Sequence, residues 1–164
     1  MHSHDILVPT DFRSGSRLAV ERALRSLGPD GGSICVLHVL DQRLIEQTVD
    51  LVPHISEAAL RTQLERQARE RYAELVAGLT ADRVELIPLI VEGRPFLKIT
   101  QLARDLDVDM IVMTVHRGTT QVEQFLFGST AERVLRLAPC PVLVVPETTV
   151  VSAPEPTEGT PSTA

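Results

Sequence analysis

Aromatic residues are scarce in this chain of 164 residues: they make up 3% of it, and tryptophan is absent. The protein therefore has few rings on which the bases of a nucleic acid could stack. The sixteen lysines and arginines are spread along the sequence, and twenty-two acidic residues give a net charge of −6. Nucleic-acid binding needs a clustered basic face, so these features argue against a nucleic-acid partner.

Long hydrophobic runs are also missing. No stretch approaches the run of about 18 uncharged apolar residues that a membrane-spanning helix needs. The first residues, MHSHDILVPTD, lack the basic and apolar regions of a secretory signal. We therefore expect a cytoplasmic protein with no membrane partner.

Cysteine is nearly as rare, with two residues in the chain. Cys35 and Cys140 each lie in an apolar run, which is typical of small buried side chains. We expect two free buried thiols rather than a disulfide, in keeping with a reducing compartment.

Short apolar runs alternate with segments of helical periodicity, which predicts a parallel sheet covered by helices on both faces. The class is therefore α/β: a doubly wound parallel sheet in a single domain. The predicted strands span residues 5–9, 33–40, 84–91, 108–113 and 141–145. Helices are predicted between the first two strands, at 56–76 up to Gly78, after Gly93-Arg94-Pro95, and at 129–137.

Four further expectations concern particular segments. Residues 41–55 have no clear period and are predicted to form a loop, whereas residues 147–164 are rich in Pro, Thr, Ser and Glu and are predicted to be a disordered tail. Pro88 cannot donate a ladder hydrogen bond, so the third strand belongs at a sheet edge. The helix after Pro95 is expected to bury Phe96, Ile99, Leu102, Ala103 and Leu106.

Ligands of doubly wound sheets bind beyond the carboxyl ends of the strands, where the strand order reverses. Pro9, Thr10 and Asp11 follow the first strand, and the backbone near Val39 ends the second. Gly128, Ser129 and Thr130 begin the last helix, whose free N–H groups and partial positive charge favour an anion.

Each of these residues also has a purely structural interpretation. Ser129 and Glu132 have the spacing of a capping box, which would satisfy the same N–H groups internally. Asp11 has the side chain of an N-terminal cap for the first helix. His38, within the second strand, is interpreted as a hydrogen-bonded core residue, and His2 and His4 as part of a frayed terminus.

Four segments together resemble the universal stress protein family: ILVPTDF, HVLD, the G-x9-G-S spacing from Gly118 to Gly128-Ser129, and FGSTAERVLRLAPCPVLVVP. The resemblance covers about residues 5–146, and residues 1–146 are the predicted nucleotide-binding domain. It implies a Rossmann-like five-stranded sheet of order 3-2-1-4-5 and a homodimer. Many members of that family bind ATP through a G-x2-G-x9-G-[ST] pattern.

Carried over by position, Gly118 matches the second glycine and Gly128-Ser129 the final pair. The first glycine falls on Val115, or on Thr114 in a gapped alignment that keeps His116 on the family's histidine. A β-branched residue there would be strained if the position requires a positive φ, and would crowd the phosphates if it only provides room. The resemblance places the adenine at Val39, beside Pro9, Thr10 and Asp11. His116 and Arg117 are either phosphate contacts or solvated loop residues.

These features predict a stress-response or signalling module that binds ATP, with or without Mg²⁺, as a homodimer. The alternative is a regulatory interaction protein of the same fold whose altered pocket does not bind ATP. No nucleophile elbow, Walker motif or Cys/His metal spacing is found, so we expect no catalytic residues, no bound metal of the protein's own and at most slow ATP hydrolysis. The fifth strand, Pro141 to Val145, is the expected dimer contact, and an unknown protein is the expected further partner.

Overall fold

The computed structural model describes residues 4–52, 54–115 and 128–147. They form one five-stranded parallel sheet in the order β3-β2-β1-β4-β5, so the predicted fold class and strand order are confirmed. The strands are β1 (His4–Pro9), β2 (Gly32–Asp41), β3 (Val84–Gly93), β4 (Met110–Val115) and β5 (Val142–Pro146). The helices are α1 (Ser16–Ser26), α2 (Gln42–Leu51), α3 (Glu57–Val76), α4 (Pro95–Asp105) and α5 (Ser129–Leu137).

The central strand β1 explains why the sheet has two covered faces. Ile6, Leu7 and Val8 are at most 2% exposed, and their side chains alternate between the faces. Leu7 belongs to a core shared with α4 and α5, whereas Ile6 and Val8 belong to a core shared with α1 and α3. A continuous apolar run, rather than an alternating one, is what a strand buried on both faces requires.

The structure confirms two predictions that were based on single residues, Pro88 and Gly78. Pro88 lies in β3, which is an edge strand, and pairs with Val36 of β2. Gly78 follows α3 and has φ +72°, a conformation that glycine adopts without a steric penalty. Cys35 and Cys140 are both free, as expected from the sequence; Cys35 is buried as predicted, whereas Cys140 is only half-buried. Burial raises the pKa of both thiols, so they are poorly reactive.

The prediction of a loop over residues 41–55 is wrong, because Gln42–Leu51 form α2. The Asp41 side chain caps this helix by accepting a hydrogen bond from Arg43 N at 3.1 Å. Only Ile45 of the helix is buried, whereas Leu44 and Leu51 are 61% and 80% exposed. Val49 packs against the same cluster as Ile45, so the inward face of α2 has the i, i+4 spacing of a helix. The prediction failed because this spacing covers only one turn and the exposed Leu44 and Leu51 obscure it.

Two smaller expectations also fail. Leu106 is 42% exposed because it follows the last turn of α4, whereas Ile99 and Ala103 are buried as predicted. His4 belongs to β1 rather than to a frayed terminus, and its Nδ1 lies 3.5 Å from an Asp109 carboxylate oxygen.

No helix in the described ranges is long and apolar enough to cross a membrane.

Candidate functional site

A cavity of about 650 Å³ opens at the carboxyl edge of the sheet, beside the point between β1 and β4 where the strand order reverses. Doubly wound sheets bind their ligands at such a point. Nine residues predicted for the site line this cavity: Pro9, Thr10, Asp11, Val39, Thr114, Val115, Gly128, Ser129 and Thr130. The other two, His116 and Gly118, lie outside the described residues, as does the predicted tail beyond Glu147.

The loop after β1 is held by its own polar groups. Thr10 N donates to Leu37 O at 2.8 Å, and Phe12 N donates to Thr10 Oγ1 at 2.9 Å. Phe12 has φ +60°, an uncommon backbone conformation for a residue with a side chain, and this hydrogen bond helps to maintain it. These contacts fix the wall of the cavity that β1 contributes.

Asp11 stabilises this loop and is not the N-cap of α1. Its Oδ1 accepts a hydrogen bond from Arg13 N at 3.0 Å, which is an Asx turn. The N-cap of α1 is Gly15, and among the described residues no side chain caps that helix. The interpretation of Asp11 as a helix cap is therefore wrong, and its carboxylate lies at the cavity.

The start of α5 differs from the capping box that its sequence allows. Gly128 is the N-cap, with φ −55° and ψ 150°, and Ser129 is already the first helical residue. In the described part of the chain, no side chain makes a capping hydrogen bond there. The Glu132 carboxylate instead pairs with Arg136 at 2.8 Å. The first N–H groups of α5 thus point towards the cavity without the internal acceptors that a capping box provides.

Thr114 and Val115, the two candidates for the position of the family's first glycine, are the last residues of β4. The described non-glycine residues with positive φ are Phe12, His54, Arg83 and Asp107. Neither Thr114 nor Val115 is among them, so the backbone strain considered for this position is absent. The side chains matter only through the space that they occupy.

The two side chains occupy opposite faces of β4. Val115 is 7% exposed and packs in the core with Met113 and Ala131. The Thr114 methyl group lies towards Gly15, 3.1 Å from where a Cβ on that glycine would be. Both residues line the cavity, which remains a single space with these side chains in place.

His38 is a hydrogen-bonded residue, as predicted. Its Nδ1 lies 2.9 Å from Thr10 O, and because a carbonyl oxygen only accepts, Nδ1 carries the proton. The imidazole also packs on the Phe12 ring, with 4.6 Å between ring centroids. Burial lowers the pKa of His38, and the hydrogen bond to Thr10 opposes part of that shift. The ring is therefore neutral at pH 7.

Seven lining residues were not predicted: Arg13, Leu37, His38, Pro95, Ile99, Met113 and Ala131. The period of two along a strand could have identified Leu37 and Met113, because they lie on the same face as Val39 and Val115. Pro95 begins α4 at the same edge of the sheet. Arg13 directly follows the segment ILVPTDF. It brings a positive charge to the cavity.

The cavity is apolar at its floor and polar at its mouth. Leu37, Ile99 and Met113 form the floor, whereas hydroxyl groups, Asp11 and Arg13 surround the opening. No group of three or more His, Cys, Asp or Glu side chains placed to hold a metal ion occurs in the described ranges. Such a cavity suits an organic ligand with a flat apolar part and an anionic part.

Comparisons with known proteins agree with this geometry. A model of the universal stress protein family matches residues 2–146. Universal stress protein MJ0577 of Methanocaldococcus jannaschii is 29% identical over 153 residues, which cover 85% of this chain and 93% of the relative. A solved structure of MJ0577 superposes with a TM-score of 0.74 at 28% identity, covering 91% of this chain and 99% of the other.

Two more distant structures share the fold at 20% identity. One is a universal stress protein in complex with cAMP, with a TM-score of 0.52. The other is a universal stress protein of Archaeoglobus fulgidus in complex with dAMP, with a TM-score of 0.51. Each comparison covers 88% of this chain and 98% of the other.

Proposed function

The chain belongs to the universal stress protein family, and from this premise we propose that it binds an adenine nucleotide, ATP foremost, in the cavity at the carboxyl edge of the sheet. In this proposal the protein is a homodimeric stress-response or signalling module. The bound nucleotide changes which protein partner the dimer contacts. ATP hydrolysis, where it occurs, is slow and incidental.

The observation that carries the proposal is the uncapped start of α5 at the mouth of the cavity. Its N–H groups and the hydroxyls of Ser129 and Thr130 offer donors to phosphate oxygens, and the helix dipole adds a partial positive charge. A Cβ placed on Gly128 would meet no atom of the described residues within 4 Å. A phosphate group can therefore approach this backbone closely.

The remaining surface of the cavity suits a nucleoside. Its volume of about 650 Å³ is within the range of roughly 300–1,000 Å³ that is usual for small-molecule sites. Leu37, Ile99 and Met113 provide an apolar surface for a base, and Val39 offers backbone polar groups at the end of β2. Asp11 provides one carboxylate, which suffices for a Mg²⁺ that is bound mainly by the phosphates and water.

ATP is expected to stabilise the purified protein against heat. A ligand at about 100 times its Kd adds about 2.7 kcal/mol to the free energy of unfolding, which corresponds to a rise in Tm of roughly 5–10 °C for a domain of this size. Differential scanning fluorimetry with ATP, and with GTP as the control for the base, measures this. Mass analysis of nucleotide released from the purified protein is the complementary test. An unchanged Tm at millimolar ATP, together with no released nucleotide, would contradict the proposal.

Thr114 and Val115 favour one alternative function. One of these two side chains, depending on the alignment, stands where many members of the family have a glycine, so it reduces the room near the phosphates. If the reduced room prevents ATP from binding, the protein is an interaction module of the same fold that does not use ATP. A thermal-shift screen in which other small molecules raise the Tm and ATP does not would support this alternative.

The edge strand β5 is the proposed dimer contact. Ile111 N donates to Pro141 O at 3.0 Å, and Glu147 N donates to Val115 O at 3.1 Å. Since the direction of the backbone groups alternates along a strand, Val142 and Val144 direct their N–H groups away from β4. An antiparallel copy of β5, related by a two-fold axis, can accept these hydrogen bonds.

A Val144→Pro substitution is expected to weaken the dimer. Proline removes an outward N–H and is tolerated on the open side of an edge strand, so the protomer should remain folded. By symmetry the dimer loses two hydrogen bonds of about 1 kcal/mol each, which raises its dissociation constant roughly thirtyfold. Sedimentation equilibrium measures this constant, with Val144→Ala as the control. A wild-type protein that is monomeric at micromolar concentration would refute the dimer itself.

A further inference from the structure

The cation at the mouth of the cavity is Arg13, which follows β1 in the loop Thr10-Asp11-Phe12-Arg13. Among the described lining residues it is the only one with a positive charge. Its side chain is 70% exposed, and its Nε lies 3.4 Å from Asp11 Oδ2. Within the described part of the chain, this carboxylate is the partner of the guanidinium. The two terminal nitrogens of Arg13 therefore remain available as donors.

We propose that Arg13 contacts the terminal phosphates of the bound nucleotide and makes the cavity selective for nucleoside triphosphates over monophosphates. This inference rests on the proposed function and adds to it the basis of phosphate discrimination. The start of α5 accommodates one anionic group through neutral N–H donors. A triphosphate carries further negative charge, which is best matched by a full positive charge that can form paired hydrogen bonds.

Asp11 positions Arg13 for this role. The Asp11 carboxylate accepts a hydrogen bond from Arg13 N at 3.0 Å and lies 3.4 Å from Arg13 Nε, so it favours positions of the guanidinium at the cavity mouth before a ligand arrives. Restricting a long side chain in advance lowers the entropy cost of binding. The exposed Asp11–Arg13 pair itself contributes little to stability, so its removal should not unfold the protein.

The chain contains a matched control for this arrangement. Arg43 also follows an aspartate by two residues: its backbone N donates to Asp41 Oδ1 at 3.1 Å, and its Nε lies 3.7 Å from the same oxygen. Arg43 is 56% exposed but does not line the cavity. The two arginines thus share a local geometry and differ in whether they reach the ligand.

The test is to measure Kd for ATP, ADP and AMP by calorimetry in the wild type, Arg13→Gln, Arg13→Lys and Arg43→Gln. Arg13→Gln is expected to weaken ATP binding about tenfold and AMP binding less than about twofold, since a charge-assisted contact is lost only with the longer phosphate chain. Arg13→Lys should recover part of the ATP affinity. Arg43→Gln should leave every Kd within about twofold. The ATP preference of the wild type should also decrease at high salt.

The outcomes separate this inference from the proposed function. If Arg13→Gln leaves the ratio of the ATP and AMP affinities unchanged while both nucleotides bind, the role of Arg13 is refuted and the nucleotide cavity is retained. If the wild type binds none of the three nucleotides at millimolar concentration, the proposed function is refuted together with this inference. Equal melting temperatures of the Arg13→Gln and wild-type proteins, measured without nucleotide, show that the variant is folded.

Discussion

A Gly128→Asp variant is expected to bind ATP at least a hundredfold more weakly than the wild-type protein and yet to unfold at a higher temperature. The two effects have the same origin. An aspartate at the N-cap of α5 accepts hydrogen bonds from the N–H groups of the first turn and interacts favourably with the helix dipole. It thereby occupies, with a fixed negative charge, the place proposed for a phosphate.

The backbone of Gly128 makes this substitution feasible. Its φ of −55° is allowed for every residue, and a Cβ would meet no described atom within 4 Å. The cap should stabilise the protein by about 0.5–1 kcal/mol. The binding loss combines lost donors to a charged group with repulsion between like charges, together more than about 3 kcal/mol. Calorimetry gives the affinity, and thermal denaturation gives the stability.

Gly128→Asn is the matched control. The asparagine side chain can accept the same N–H bonds but has no charge, so it should weaken ATP binding by about tenfold. The difference between the two variants isolates the electrostatic part. If the aspartate variant were more stable and bound ATP as the wild type does, the phosphates would not lie at the start of α5.

Leu7→Ala is expected to lower the free energy of unfolding by about 3–4 kcal/mol, because it leaves a cavity in the middle of the sheet. Leu7 is 0% exposed, and β1 places it between Cys35 of β2 and Ile111 of β4. Its side chain belongs to the core that continues to Leu37 and Met113 under the ligand cavity. Urea denaturation monitored by circular dichroism measures the change.

Leu51→Ala provides the same chemical change at a residue that is 80% exposed, at the end of α2. It should change the stability by less than about 0.5 kcal/mol. A similar loss in the two variants would show that Leu7 is not in a well-packed core. Most domains have about 5–15 kcal/mol of stability, so the Leu7→Ala protein should remain folded for the measurement.

The sequence predicted the sheet well because its central strands are buried on both faces. Short continuous apolar runs such as Ile6-Leu7-Val8, closed by Pro9, favour strands, and Pro88 marked an edge strand. The strand order came from the resemblance to a family and is confirmed. The helix α2 was not predicted, because its inward face shows only Ile45 and Val49, one turn apart, and the exposed Leu44 and Leu51 obscure that spacing.

The sequence predicted those parts of the candidate site whose position follows from the order of the strands. Every predicted residue that the structure describes lines the cavity, since the carboxyl ends of parallel strands meet at one edge. Hydrogen bonding was harder to predict. The Ser129 and Glu132 spacing suits a capping box, but the helix begins one residue earlier than such a box requires, with Gly128 rather than Ser129 as the N-cap. Arg13 was missed because the family pattern ends before it.

The most direct test of the account is a calorimetric titration of MgATP into nucleotide-free protein, performed on the wild type and on Gly128→Asp. Saturable heat is expected at one nucleotide per wild-type protomer, and none is expected from the variant over the same concentrations. Absence of heat from the wild type up to millimolar MgATP, or identical isotherms from both proteins, would contradict it.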